Sequence, residues 1–274
     1  MSKTATSIVE LDYNDLINED SDLTNEISAA FGVEGVGVLT VKNVPGYISA
    51  RNKLLPLSKV FADLPDDVKE KYVHEDSFYS FGWSHGKEKL QGKPDLSKGS
   101  FYANPQYDRP IDDEKIIAQY PAFIHPNIWP TADVPEYESA FKSLGQIIVH
   151  VGELVAKQCD KFVHSSSPSY PPNLLQRVIR ESKCCKARLL HYFPRAGEEE
   201  EKDPSDTSDV SSFSSWCGWH NDHGSLTGLT SALYLDSDGK EVVNTDKDAG
   251  NLSVNNTFKS SIFLKFPFRF IRYE

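Results

Sequence analysis

The stretch WCGWHNDHGSLTGLTSALYLDSDGKEVV, residues 216–243, decides how the rest of the chain is read. A strand through it carries side chains with period two, so His220 and Asp222 point to one face and His223 to the other. An imidazole and a carboxylate on one face can converge on one ion. They make two-thirds of a 2-His-1-carboxylate set, a ligand type that leaves coordination positions open for other molecules. Leu226, Thr227, Leu229 and Leu233 follow, and Asp238-Gly239 marks a hairpin turn before Val242 and Val243.

Just upstream, residues 196–215 are acidic and serine-rich and can bury almost nothing, which predicts a surface loop. Before that loop, Arg188 to Phe193 reads as a strand stopped by Pro194. The strongest periodic signal lies further back, from about Glu136 to Val163. There Phe141, Leu144, Ile148, Val151, Val155, Cys159 and Phe162 recur at three- and four-residue spacing, the stripe of a core-facing helix. A second helix is expected from about Asn173 to Lys186, with Leu174, Leu175, Val178 and Ile179 inward. His150 and His164 sit on the long helix with no ligand spacing around them and read as helix-flank side chains.

The chain opens as strand, helix, strand. Residues 7–13 alternate, residues 21–31 suit a helix capped by Ser21 or Asp22 and closed by Gly32, and Val36 to Val41 is a β-branched run. A helix from Tyr47 to about Phe61 is expected to kink or break at Pro56, and Leu64-Pro65 begins another turn. Residues 76–110 predict a long ordered loop or small hairpin.

Composition narrows the function classes. The 274 residues carry a formal net charge of −11, which gives no long-range field to gather nucleic acid. No run approaches the roughly 20 apolar residues that span a bilayer. The N-terminus lacks an apolar signal core, so a cytoplasmic address is expected. Cys159, Cys184, Cys185 and Cys217 show no CxxC spacing and read as reduced thiols.

Several motifs now fall in one order. The run His220 to Leu229 (HNDHGSLTGL) is similar to the metal-binding strand of plant-type non-haem Fe(II)/2-oxoglutarate-dependent dioxygenases, the isopenicillin N synthase-like group. Residues 35–46 (GVGVLTVKNVPG) resemble that family's N-terminal strand and turn, residues 61–72 (FADLPDDVKEKY) its LPxxxK helix, and residues 188–194 (RLLHYFP) the strand before the metal strand. The resemblance runs from about residue 7 to about residue 250. It implies an α+β fold in which an N-terminal helical and mixed region packs on an incomplete double-stranded β-helix, or jelly roll. The expected organisation is an N-terminal dioxygenase-type region over 1–135, helices plus the partial β-helix over 136–250, and a non-family tail over 251–274.

The resemblance also implies chemistry: Fe(II) held by His220 and Asp222, 2-oxoglutarate as cosubstrate, ascorbate as supporting reductant, and a small organic molecule hydroxylated or desaturated. At the position where relatives carry Asn-x-Tyr toward the cosubstrate, this chain has His191-Tyr192-Phe193, so His191 is the candidate cosubstrate contact or replacement ligand. The family's second metal histidine and its RxS arginine have no counterpart, since no histidine follows His223. The tail NLSVNNTFKSSIFLKFPFRFIRYE suits a jelly-roll strand poorly. It is expected to be a splice-variant or gene-model join near Gly250 that leaves sheet edges unpaired and the oxygenase impaired. Two rival readings are a truncated, non-catalytic weak metal binder and a zinc hydrolase; the HxHxDH run of the latter needs histidine at 218, where Gly218 stands.

Overall fold

Val9 and Leu11 alternate with polar neighbours to form β1 (Val9–Asp12). Two short helices, α1 (Tyr13–Ile17) and α2 (Thr24–Phe31), cross over to the β-branched strand β2 (Val38–Lys42), which runs parallel to β1 with Leu11 opposite Val41. In this computed structural model the described residues are 8–87, 89–90, 93–194, 222, 224–242 and 260–265. The start of α2 differs from expectation. Asp22 accepts from the Thr24 amide at 3.0 Å, and Leu23 takes the cap position without a side-chain bond.

Helix α3 (Tyr47–Ala62) runs unbroken through Pro56, a correction to the expected kink or break. Proline removes one amide donor, and the residue that loses it, Asn52, is exposed, where water can substitute. The short α4 (Asp66–Lys69) follows Pro65. The Gly- and aromatic-rich region then folds as the hairpin alternative: β3 (Gly82–His85), the small pair β4 (Lys89–Leu90) and β5 (Lys93–Pro94), and β6 (Lys98–Ala103), with β3 antiparallel to β6. Helices α5 (Glu114–Gln119) and α6 (Pro121–Ile124) lead to the long α7 (Tyr137–Ser166).

The apolar stripe of α7 does what its spacing predicts. Phe141, Leu144, Val151, Val155 and Cys159 are all buried, with Ile148 and Phe162 half-buried at its margins. Phe61 of α3 sits at the centre of an aromatic cluster with Tyr72, Trp83, Phe101 and Tyr137 at 5.2–5.7 Å between ring centres. That cluster joins helices to the sheet formed by β3, β6 and β7 (Ala187–Tyr192).

Helix α8 (Leu174–Glu181) is shorter than expected and buries no residue fully, with Val178 exposed. It lies on the surface because its anchor is polar. The buried Asp160 carboxylate of α7 accepts from the amides of Leu175 and Gln176, each at 2.9 Å, and from the Tyr170 hydroxyl at 2.7 Å.

The tail is the largest departure. Ile262–Lys265 form β9, which lies between β2 and β8 (Thr227–Thr230) in a four-stranded sheet of order β1-β2-β9-β8 and pairs antiparallel with both neighbours. Ile262, Phe263 and Leu264 are almost completely buried. The expectation that this segment suits a strand poorly is therefore overturned for residues 262–265, while β8 is paired on one side only among the described residues. Four apolar or long-chain residues suffice when both sides are paired, and the aromatic pattern around Pro267 drew attention from them. The acidic 196–215 segment lies outside the described residues, whereas the turn before Val242 forms: Gly239 adopts φ +78° and its amide bonds Asp236 O at 3.0 Å. Among the described residues no helix is long and apolar enough to cross a membrane.

Candidate functional site

Asp222 stands just before β8, and the neighbouring strands explain where its carboxylate goes. Thr227 on β8 lies directly opposite Lys265 on β9. Both reach the same atom: Asp222 Oδ2 accepts from Thr227 Oγ1 at 3.0 Å and pairs with Lys265 Nζ at 3.5 Å. The lysine side chain is 39% exposed and the aspartate side chain 22%, so the pair sits at the edge of solvent. His220 and His223 lie outside the described residues, and the expected convergence of His220 with Asp222 belongs with them.

Strand β8 is fixed from the helical side. Tyr47 Oη of α3 lies 2.5 Å from Thr230 Oγ1, and the Arg51 guanidinium, 3% exposed, donates to Ser231 O at 3.0 and 3.1 Å and to Ala232 O at 2.7 Å. Burial pushes the Tyr47 hydroxyl above its ordinary pKa, so it stays a neutral partner.

His191 belongs to the other sheet. It faces Gly99 across β6 and β7, its ring centre is 4.8 Å from that of Phe193, and Phe193 is 4.8 Å from His85. Burial lowers its pKa, with Asp63 opposing and Lys59, His85 and Lys69 reinforcing the shift. This surrounding favours a neutral imidazole next to aromatic rings.

A metal test follows from these contacts. A carboxylate oxygen is the right donor for a hard or borderline divalent ion. The Asp222 Oδ2 atom, however, already holds an ammonium and a hydroxyl. No group of three or more His, Cys, Asp or Glu side chains is gathered for an ion among the described residues. As arranged, the described residues do not fit a bound ion unless Lys265 moves. The sequence reading missed Lys265 altogether; the only signal was a cation closing the apolar triplet Ile262-Phe263-Leu264.

Residues 8–132 match the family profile described as the N-terminal region of non-haem dioxygenase in morphine synthesis. This N-terminal stretch, somewhat under half of the chain, is similar to the N-terminal region of non-haem dioxygenases. Solved dioxygenase-type structures share its fold at low identity. A 2OG-Fe(II) oxygenase family protein from Caulobacter crescentus superposes with a TM-score of 0.61 at 16% identity, covering 96% of this chain and 74% of its own. A full-length Neurospora crassa protein in complex with alpha-KG gives 0.61 at 17%, covering 97% and 74%. The same Neurospora protein with alpha-KG and thymine gives 0.55 at 17%, covering 97% and 75%. No curated protein matches this chain with significant similarity.

Proposed function

We propose that the chain serves Fe(II)- and 2-oxoglutarate-dependent oxidation, by hydroxylation or desaturation, of a small organic substrate in the cytoplasm, and that it does so at an impaired rate. His220 and Asp222 are the metal ligands in this reading, and His191 stands toward the cosubstrate. The fold beneath them is read as an incomplete double-stranded β-helix covered by the N-terminal region. The observation that carries the reading is Asp222, the aspartate of the HxD pair, held by Thr227 at the entry to β8 in a chain whose first half matches the dioxygenase profile. Fe(II) held by His220 and Asp222, together with 2-oxoglutarate, would supply the oxidising power. The chain's own part is to place a carboxylate at β8 and to keep His191 neutral.

Impairment is supported by Lys265, whose ammonium lies 3.5 Å from one oxygen of the carboxylate that an ion would use. The same contact favours a second reading, a non-catalytic weak metal binder. Incubation of the purified chain with Fe(II), ascorbate and carboxyl-labelled 2-oxoglutarate separates the two. CO2 release above a His220→Ala control supports the oxygenase, and release equal to that control leaves the non-catalytic reading.

A further inference from the structure

We propose that Lys265 is a resident cation of the Asp222 carboxylate, and that a divalent metal ion competes with it for that carboxylate. The inference rests on the metal reading of His220 and Asp222 and adds a determinant outside the expected ligand set.

The backbone of Lys265 is not free to drift. Strand β9 is paired with Val38 on one side and with Thr227 on the other at this very residue, and the three residues before it are buried. Its Cα is therefore held over the start of β8. Thr227 fixes the other partner by donating to Oδ2, so carboxylate and ammonium meet without either backbone adjusting. An ammonium and a divalent ion held on one carboxylate repel each other, so each lowers the affinity of the other. The lysine stem is flexible and its side chain 39% exposed, so the ammonium can turn to water when an ion arrives. The outcome is competition: Lys265 weakens metal affinity without closing the site.

The test uses the full 274-residue chain, with Mn(II) as probe and free Mn(II) followed by electron paramagnetic resonance. Lys265→Met should bind Mn(II) about tenfold more tightly than the parent, a change of about 1.4 kcal/mol. Lys265→Arg, which keeps the charge, should stay near the parent, and Asp222→Asn should abolish the tightening. A double-mutant cycle of Lys265→Met with Asp222→Asn, read by urea unfolding in the presence of a chelator, should give a favourable coupling between the two side chains. Equal Mn(II) affinity in Lys265→Met and the parent, or zero coupling, overturns the role of Lys265 while leaving the metal reading in place. Absence of Mn(II) binding in every variant, Lys265→Met included, removes the metal reading and the competition with it.

Discussion

Gly228 of β8 is pressed against Ile148 of α7 so closely that a Cβ on the glycine would lie 2.3 Å from Ile148 Cγ2. This contact sets how near β8, which follows Asp222 in the chain, can come to the long helix. Gly228→Ala is expected to destabilise the chain by about 1–3 kcal/mol through overpacking. Trimming the obstacle, with Ile148→Ala in the same chain, should recover part of that loss. Urea midpoints of the two single variants and the double variant decide it, and strict additivity would refute the contact.

Arg51 anchors the chain immediately after β8 by donating to the carbonyls of Ser231 and Ala232. Arg51→Met keeps the stem and deletes the donors to the half-buried Ser231 and the exposed Ala232 carbonyls, at a cost of about 1–2 kcal/mol. Hydrogen exchange should show faster opening around residues 227–235 than around α7. Uniform acceleration across the chain would mean that Arg51 supports the whole fold and not this segment.

Asp95 carries an acid-sensitive part of the stability. Burial alone would raise its carboxyl, but hydrogen bonds from Lys98 and Ser97 win and hold it down at about 2. A carboxyl depressed in the folded state stabilises above its unfolded pKa of about 4, and that contribution fades as pH falls from about 4 to about 2. It amounts to about 2 kcal/mol, and Asp95→Asn should flatten this part of the stability profile. An unchanged acid limb in the variant would contradict the assignment.

His125 and His191 should produce a second, milder pH dependence. Burial is the main cause that lowers both, with His74 adding to it at His125. The unfolded chain then binds more protons below about 6.5, so stability falls as pH drops through that value toward the lower folded pKa values. His125→Gln and His191→Gln should each shallow the slope between about pH 7 and 5. A steeper slope in either variant would show that its histidine gains a proton on folding.

The legible parts of this fold were those whose signal is local. Thirty residues of three- and four-residue spacing define α7, and the β-branched run defines β2, because each pattern reports one buried face. The core role of Phe61 was invisible, since its ring partners come from positions 72, 83, 101 and 137. Strand β9 failed for the same reason: four residues do not announce a partner more than two hundred positions earlier, and Leu264 opposite Leu39 is a tertiary fact. HxD spacing marks Asp222 as a candidate ligand, but nothing in the sequence marks the cation beside it, because Lys265 becomes its neighbour only through the β8 and β9 register.

The proposal that Asp222 is a metal ligand guarded by Lys265 is decided by anomalous diffraction from crystals grown with Mn(II) and 2-oxoglutarate. A manganese peak bonded to Asp222 and His220, with the Lys265 ammonium turned away from the carboxylate, is expected. Crystals in which no anomalous peak touches Asp222 and Lys265 remains on Oδ2 would contradict it.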